Sequence, residues 1–241
     1  VSRQCSKIIT MLPNTKIVEE VYQTFFKYCR PNTLLIDSST ISPIVSSQIS
    51  SRARDKRLRM IDAPVSGGVP AAKNGTLTFM VGGTEADFSQ AFDVLKLMGS
   101  KVVHCGKSGN GLVAKLSNNL ALAISMIGIS EAMNLGHKMG LDPSVLADVL
   151  NSSTAKCWSS EKYNPFPGVM DNVPSSKNFS GGFSADLMEK DLKLAMESAD
   201  FSGSLAPLGS LAKQLYSIMI ENGDGSKDFS GIIMLLNSSL K

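Results

Sequence analysis

One uninterrupted stretch in the middle of the chain limits its possible folds more than any other feature. From Leu112 to Met139 the sequence contains no proline and no cluster of turn-forming residues, and it is rich in Ala, Leu, Ile, Met and Asn. This pattern predicts a single helix of about 28 residues, about 42 Å long at the usual rise. Gly140 ends this helix and Asp142-Pro143 begins another. The long helix therefore separates two halves that are built differently.

Before this helix, short apolar strands alternate with helices. Strands are predicted at Lys7–Leu12, Thr33–Ser38, Arg59–Val65, Thr76–Val81 and Lys101–His104. Helices are predicted to begin at Asn14 or Thr15, at Ser42 and at Glu85. After it, only helices are predicted, at Asp142–Asn151, Ala185–Ala199, Leu208–Asn222 and Asp228–Ser238. We therefore expect a Rossmann-type α/β domain with a largely parallel sheet over residues 1–106, followed by an all-α domain over 107–241 that begins with the long interdomain helix.

Composition argues against several classes of function. The 241 residues carry 24 basic and 21 acidic side chains, without a Lys/Arg stripe, so we predict no nucleic-acid partner. No apolar run of ~18 residues is free of polar interruption, which predicts no membrane span. The cysteines form no CxxC pair, which predicts neither a metal site nor a disulfide. They lie at Cys5, Cys29, Cys105 and Cys157.

Two glycine-containing segments resemble nucleotide-binding motifs without meeting their requirements. Gly109–Ala114 matches G-x-G-x-x-A, but the long helix follows and no second strand closes a βαβ unit. Gly106-Lys107-Ser108 resembles the end of a phosphate-binding loop, but Lys101 stands where that loop requires glycine. We interpret the glycines at 109 and 111 as points of flexibility between the domains.

Lys115 and Asn119 are the strongest candidates for chemistry, because they are four residues apart and share one face of an otherwise apolar helix. The alternative is an exposed stripe on a half-buried helix. The segment Ser66-Gly67-Gly68 follows a strand, where its successive N–H groups could cradle a small carboxylate; the alternative is an ordinary turn. Small polar residues also follow two other strands, at 11–14 and 37–40, which suggests one shared crevice.

Together these segments resemble the β-hydroxyacid dehydrogenase family. Its motif D-x-P-V-S-G-G-x-x-x-A-x-x-G-T-L is matched by Asp62–Leu77, and its glycine-led K-x-x-x-N motif by Gly109–Asn119. Lys190-Asp191-Leu192 matches a later motif. The resemblance implies that Lys115 and Asn119 are catalytic and that Ser66, Gly67, Gly68 and Asn119 bind a hydroxy-acid substrate. It implies NAD as the cofactor, faced by Leu12, Pro13, Asn14, Thr40 and Lys190, and no metal.

Segments 123–128, 157–160 and 163–171 resemble the member that oxidises a branched hydroxy acid in valine breakdown. That member implies a homodimer or homotetramer in the mitochondrial matrix. Two alternatives remain open: a catalytically silent module for binding or oligomerisation, and a sister reductase acting on tartronate or succinic semialdehyde. The role of Lys115 is also open. A general base needs a pKa well below the ordinary ~10.4, whereas an ammonium group could stabilise an alkoxide.

The start of the chain departs from the family pattern. The family begins with a strand, a G-x-G-x-x-G turn and a helix that hold the dinucleotide pyrophosphate, and that unit is not found in this sequence. Val1 lies only a few residues before a predicted buried strand, so we interpret the Rossmann-type domain as N-terminally truncated. We accordingly expect the isolated chain to bind NAD poorly and to turn over slowly or not at all.

Overall fold

The chain divides into two compact units, Val1–Ser117 and Asn118–Lys241. The structure, a computed structural model, describes residues 3–237. The long helix predicted from the sequence is present as α5, Asn110–Lys138, and the division between the units falls within it. The predicted boundary after residue 106 stays a prediction.

The first unit is the Rossmann-type layer that the alternation of strands and helices predicted. Its elements are β1 Lys7–Thr10, α1 Thr15–Tyr28, β2 Leu34–Asp37, α2 Pro43–Asp55, β3 Arg59–Asp62, β4 Val65–Ser66, α3 Gly68–Lys73, β5 Leu77–Val81, α4 Glu85–Lys96 and β6 Gly99–His104. Strands β1, β2 and β3 pair in parallel, as do β5 and β6. The described strands form two three-stranded sheets, ordered β1-β2-β3 and β4-β5-β6, and an antiparallel bridge between Asp62 and Gly82 links them. Of the described strands, only the two-residue β4 is antiparallel to its partner, β5, so the predicted largely parallel arrangement is confirmed.

Alternate residues of the central strand face opposite layers of the unit. Leu35 packs in a cluster with Val18 and Tyr22 of α1 and with residues of α2. Leu34 and Ile36 pack instead in a cluster with residues of α4 and β5. Burial on both faces explains why β2 consists of consecutive apolar residues before Asp37.

The strand predicted over Arg59–Val65 is broken in the structure. Strand β3 ends at Asp62, and Val65 and Ser66 pair instead with Phe79 and Thr78 of β5. Pro64, which has no N–H to donate, lies at the break, although its carbonyl accepts a hydrogen bond from Met80 N. The predicted strand was therefore too long by three residues.

The second unit is helical, as predicted. It contains the rest of α5, then α6 Pro143–Ser152, α7 Trp158–Glu161, α8 Ala185–Ser202, α9 Pro207–Met219 and α10 Ile233–Leu236, with 3₁₀ turns at Pro174–Lys177 and Phe229–Ile232 and a π-helical turn at Ile220–Asp224. The helix predicted over Asp228–Ser238 is a 3₁₀ turn followed by α10. Ser238 lies outside the described residues.

Within the described residues, α5 is the helix long and apolar enough to cross a membrane by length and composition alone. Core helices of soluble proteins meet the same criterion. In this structure Ala123, Met126, Ile129 and Met133, on one stripe of α5, are buried in the hydrophobic core of the second unit. The apolar character of this part of α5 is thus used in packing the helical unit.

A buried carboxylate organises the loops of the helical unit. Asp228 is fully buried, and its Oδ1 accepts hydrogen bonds from Ser230 N and Oγ at 2.9 and 2.6 Å. Its Oδ2 accepts from Phe183 N at 2.8 Å and from the Tyr163 hydroxyl at 3.0 Å. A side chain at Gly182 would collide with this carboxylate, since an added Cβ would lie 2.0 Å from Oδ2. Burial raises the pKa of Asp228, and the hydrogen bonds partly offset that rise.

We expect Asp228→Ala to lower the free energy of unfolding by about 3 kcal/mol or more, because it leaves two buried and two partly buried donors without their acceptor. The matched control is Asp224→Ala in the same unit, which removes an ion pair to Lys227. We expect that change to cost less than about 1 kcal/mol. Urea denaturation of both variants measures the difference, and similar losses in the two would contradict the assigned role.

Candidate functional site

The carboxyl ends of the three parallel strands lie in one row. Thr10 of β1 is in register with Asp37 of β2, and Asp37 is in register with Asp62 of β3. Open α/β sheets bind ligands at this edge. The ends of these three strands are therefore adjacent in the first unit, and the shared crevice stays a prediction.

Asp37 ties the segments after β1 and β2 together. Its Oδ1 accepts hydrogen bonds from Thr10 Oγ1 at 2.9 Å and from Ser39 Oγ at 2.6 Å. Ser39 Oγ in turn accepts a hydrogen bond from Leu12 N at 2.8 Å. Burial of Asp37 raises its pKa to about 6, the hydrogen bonds from Ser39 and Thr10 opposing the rise and the nearby Asp62 adding to it.

The predicted cofactor-facing residues of this unit follow these two strand ends. Pro13 and Asn14 are exposed, whereas Leu12 and Thr40 are partly buried. Asn14 also has a structural role that the sequence predicted, because its Oδ1 accepts a hydrogen bond from Ile17 N and so caps α1. The hydrogen bond from Leu12 to Ser39 brings the two segments together. Contact with a cofactor stays a prediction for all four residues.

The predicted carboxylate-binding segment lies where β4 gives way to α3. Ser66 is the last residue of β4, and Gly67 and Gly68 have φ values of 132° and 66°. Side chains rarely adopt this backbone, and an added Cβ at Gly67 would lie 2.5 Å from Ala71 Cβ. Both glycines are exposed. The segment thus presents accessible backbone next to a serine hydroxyl, as an anion-binding loop requires.

Asp62 connects this segment to the start of α5. Its backbone N–H and carbonyl pair with Gly82, just after β5. Its side chain accepts hydrogen bonds from Gly109 N at 2.7 Å and from Leu112 N at 3.0 Å. Gly109 is the residue directly before α5 and Leu112 lies in its first turn, where amides have no intrahelical acceptor. Burial raises the pKa of Asp62, and the bonds from Gly109 and Leu112 partly offset the rise.

The two glycines first interpreted as flexible points have a steric role in this structure. Gly109 has a φ of 88°, and an added Cβ would lie 2.5 Å from Ser47 Oγ. An added Cβ at Gly111 would lie 2.2 Å from Met80 O and 2.8 Å from Asp62 Oδ2. The glycines therefore allow the first turn of α5 to pack directly against β5 and Asp62.

Lys115 lies in the second turn of α5 and is only 8% exposed. Lysine is rarely buried in this way unless its ammonium group is paired or has a chemical role. The structure thus contradicts the alternative of an exposed stripe for this residue. Lys115 follows Leu112, an amide donor to Asp62, by three residues of the same helix.

In the second unit, Asn119 is 3% exposed and its Nδ2 donates a hydrogen bond to Asp191 Oδ2 at 2.6 Å. Asn118 Nδ2 donates to the Asn119 side-chain oxygen at 3.1 Å. Lys190 Nζ lies 3.4 Å from Asp191 Oδ1. Asn119 and Lys190, predicted for substrate and cofactor respectively, are therefore connected through Asp191.

Other side chains that could do chemistry have structural surroundings. His104 contacts the Gly83 carbonyl at 2.9 Å and stacks on Phe88. His137 packs against Phe166. Among residues 3–237, no group of three or more His, Cys, Asp or Glu is placed to hold a metal ion.

Sequence reasoning assigned no role to the carboxylates of Asp37, Asp62 and Asp191, although each lies in a segment that it singled out. Each is an acid in or next to an apolar run of a strand or helix, and that placement was a usable signal, because a buried acid must find donors. The donors themselves, backbone amides and an asparagine far away in sequence, are visible only in the fold.

Two family models together cover nearly all of the chain. Residues 1–106 match the NAD binding domain of 6-phosphogluconate dehydrogenase, and residues 109–236 match the model described as NAD-binding of NADP-dependent 3-hydroxyisobutyrate dehydrogenase. The chain is 50% identical to the probable mitochondrial 3-hydroxyisobutyrate dehydrogenase of Dictyostelium discoideum, over 100% of this chain and 76% of that protein. It is 51% identical to the mitochondrial 3-hydroxyisobutyrate dehydrogenase of Homo sapiens, over 98% of this chain and 71% of that protein.

Solved structures show the same fold. A 3-hydroxyisobutyrate dehydrogenase from Mycobacterium tuberculosis, studied with L-serine, superposes with a TM-score of 0.95 at 40% identity, covering 98% of this chain and 81% of that one. A 3-hydroxyisobutyrate dehydrogenase from Salmonella typhimurium superposes with a TM-score of 0.81 at 26% identity, covering 97% and 80%.

The raised pKa of Asp37 predicts a specific dependence of stability on pH. Its pKa is about 6 in the folded chain, against an ordinary value of 3.8, so the stabilising contribution is complete below about pH 4 and is lost as the pH rises through 6. Asp37→Asn keeps the Oδ1 acceptor and removes the titration. Between pH 4.5 and pH 7 we expect the wild type to lose about 2 kcal/mol of stability relative to this variant.

Urea denaturation of both proteins at the two pH values gives this difference directly. Asp228 titrates in both proteins, so its contribution cancels in the comparison, and the repulsion between Asp37 and Asp62 is part of the difference that is measured. A wild type that gains stability relative to Asp37→Asn as the pH rises would contradict the assignment.

Proposed function

Since the chain belongs to the 3-hydroxyisobutyrate dehydrogenase family, we propose that it oxidises 3-hydroxyisobutyrate to methylmalonate semialdehyde with NAD. The structural observation that carries the proposal is the burial of Lys115, the lysine of the family's K-x-x-x-N motif, in the second turn of α5. Burying the end of a lysine side chain costs free energy, and the place of Lys115 in the family motif supports a role in catalysis for it.

The cofactor is a nicotinamide dinucleotide, since both matching family models are NAD(P)-binding domains. The residues at the strand ends of the first unit are suited to contact part of such a dinucleotide. Pro13 and Asn14 offer exposed backbone and side chain at the carboxyl edge of parallel strands, next to Thr40. We assign Leu12, Pro13, Asn14, Thr40 and Lys190 to the cofactor and propose that it is NAD, the choice over NADP resting on the family resemblance.

The reaction removes a hydride from the carbon that bears the hydroxyl and a proton from that hydroxyl, and a carbonyl forms between them. NAD, when bound, accepts the hydride. Lys115 acts on the oxygen in one of two ways. As a neutral amine it takes the hydroxyl proton itself, whereas as an ammonium ion it stabilises the alkoxide that remains when that proton passes to water. Asn119, held by Asp191, orients the substrate.

The substrate carboxylate is assigned to Ser66, Gly67 and Gly68. Their exposed backbone and the serine hydroxyl supply donors suited to a small anion. The Mycobacterium tuberculosis relative was studied with L-serine, another acid with a hydroxyl on the third carbon. Serine and the two sister semialdehydes are therefore the substrates to compare with 3-hydroxyisobutyrate.

The names of the relatives support a mitochondrial location, and we propose the matrix for this chain. We also propose a homodimer or homotetramer. The second unit leaves large apolar side chains exposed in the last turn of α5, directly after α5 and on α6, namely Leu135, Met139, Val145 and Val149. Exposed apolar surface of this kind is typical of contacts between subunits.

We expect Lys115→Met to lower kcat for 3-hydroxyisobutyrate about 1000-fold, because it removes the one group assigned to the hydroxyl oxygen. Lys138→Met is the matched control, since Lys138 is exposed near the end of the same helix, and it should keep kcat within about two-fold. Reduced-cofactor absorbance measures both variants, with NAD and with NADP.

Three outcomes of this assay decide the assignment. Equal loss in the two lysine variants would contradict the role of Lys115. Lys115→Arg, which stays charged, should retain measurable kcat if the ammonium form acts and none if a base is needed. Faster wild-type turnover of L-serine, tartronate semialdehyde or succinic semialdehyde would overturn the proposed substrate.

We expect the double change Val145→Lys and Val149→Lys to shift the chain to monomer, since it puts two charges into the proposed contact. The control is Leu97→Lys, another exposed apolar side chain, which lies in the first unit and should leave the mass unchanged. Light scattering after size exclusion at tens of micromolar measures the mass. A monomeric wild type would contradict the proposed assembly.

A further inference from the structure

We propose that Asp62 is a positioning residue, which holds the start of α5, and with it Lys115, in a fixed place relative to the loop Ser66–Gly68. The inference rests on the proposed function, which assigns Lys115 and that loop to the substrate. Asp62 has no assigned contact with substrate or cofactor. Its effect on the reaction is carried by the backbone at both ends of the connection.

The first step is the geometry of the carboxylate. Its two oxygens bind different amides of the α5 start, Oδ1 that of Gly109 at 2.7 Å and Oδ2 that of Leu112 at 3.0 Å. In many helices a bond like that to the Leu112 amide is made by the N-cap side chain of the same helix. Here it comes from the end of β3. Asp62 therefore fixes the helix to the sheet as well as satisfying its amides.

The second step is the short distance along the chain from Asp62 to both chemical groups. Ser66 follows Asp62 by four residues, and Lys115 follows Leu112 by three. A helix is stiff over one turn, so a shift of the Leu112 amide moves the Lys115 backbone with it. One carboxylate thus controls the separation of the lysine from the carboxylate-binding loop.

The third step is the lack of spare room around this contact. An added Cβ at Gly82 would lie 2.5 Å from Asp62 Oδ1, and one at Gly111 would lie 2.2 Å from Met80 O. Asp62 itself is 1% exposed. The close packing at Gly82 and Gly111 and the hydrogen bonds to the Asp62 carboxylate together allow only one position for the first turn of α5.

The test replaces Asp62 with asparagine, which keeps its size but turns an N–H₂ group toward an amide donor. The matched control is Asp87→Asn. Asp87 is 8% exposed, lies in the first turn of α4, and binds Arg59 and the Thr84 hydroxyl. Asp87→Asn therefore also removes a buried carboxylate from the start of a helix in the same unit, but that helix is α4.

The first readout is the rate at which an amine-acylating reagent labels Lys115, measured by mass spectrometry relative to Lys138 on the same helix. We expect Asp62→Asn to raise this ratio roughly five-fold or more, because the first turns open locally, and Asp87→Asn to leave it unchanged. Equal ratios in the wild type and Asp62→Asn, or equal rises in the two variants, would overturn the proposal. If Asp62→Asn does not fold, Asp62→Ser, which keeps one short acceptor, takes its place.

The second readout is steady-state turnover of 3-hydroxyisobutyrate. Misplacing the lysine by about 1 Å should lower kcat about 100-fold, while KM for NAD stays within about two-fold. A purely structural defect would affect both constants and would also appear in Asp87→Asn; that result counts against the proposal. If the wild type turns over none of the hydroxy acids, the proposed function fails, and the labelling ratio alone decides the role of Asp62.

Discussion

The carboxylate of Asp62 is the contact on which the first unit depends. The backbone of Asp62 pairs the end of β3 with Gly82, and its carboxylate accepts hydrogen bonds from the amides of Gly109 and Leu112. The positive end of the α5 dipole meets a negative charge there. The long helix therefore begins at a defined point on the sheet, and every side chain of its first turns inherits that position.

Burying carboxylates in this way is costly, and the fold offsets the cost with hydrogen bonds from N–H and hydroxyl groups. Asp37 uses the hydroxyls of Thr10 and Ser39, and Asp62 uses the helix amides. Asp228 uses two amides and two hydroxyls in the helical unit. Removing any of these acids leaves buried donors unmatched, which costs more than the hydrogen bonds contributed net. Each acid therefore specifies one arrangement of the loops around it.

The sequence was sufficient for the elements whose signals are local. The length of α5, the apolar run of β2 and the cap at Asn14 all follow from neighbouring residues. The break after Asp62 does not follow from neighbouring residues, because it depends on the pairing of β4 with β5, up to fourteen residues later in the chain. The partnership of Asn119 with Asp191 spans 72 positions, so no local pattern could reveal it. The features that could not be predicted, the break after Asp62 and the Asn119–Asp191 contact, both depend on residues distant in the sequence.

The recognised motifs combine residues with two different tasks. In Asp62–Gly68 the aspartate organises the backbone, whereas Gly67 and Gly68 are exposed and Ser66 is partly buried. In the second motif, Gly109 and Gly111 permit close packing, whereas Lys115 carries the amine. Asp62 and the two glycines affect turnover by fixing the positions of the serine loop and Lys115. A small displacement of a reacting group lowers the rate by a large factor. Loss of activity alone therefore assigns no residue to the ligand; a separate measure of position is needed.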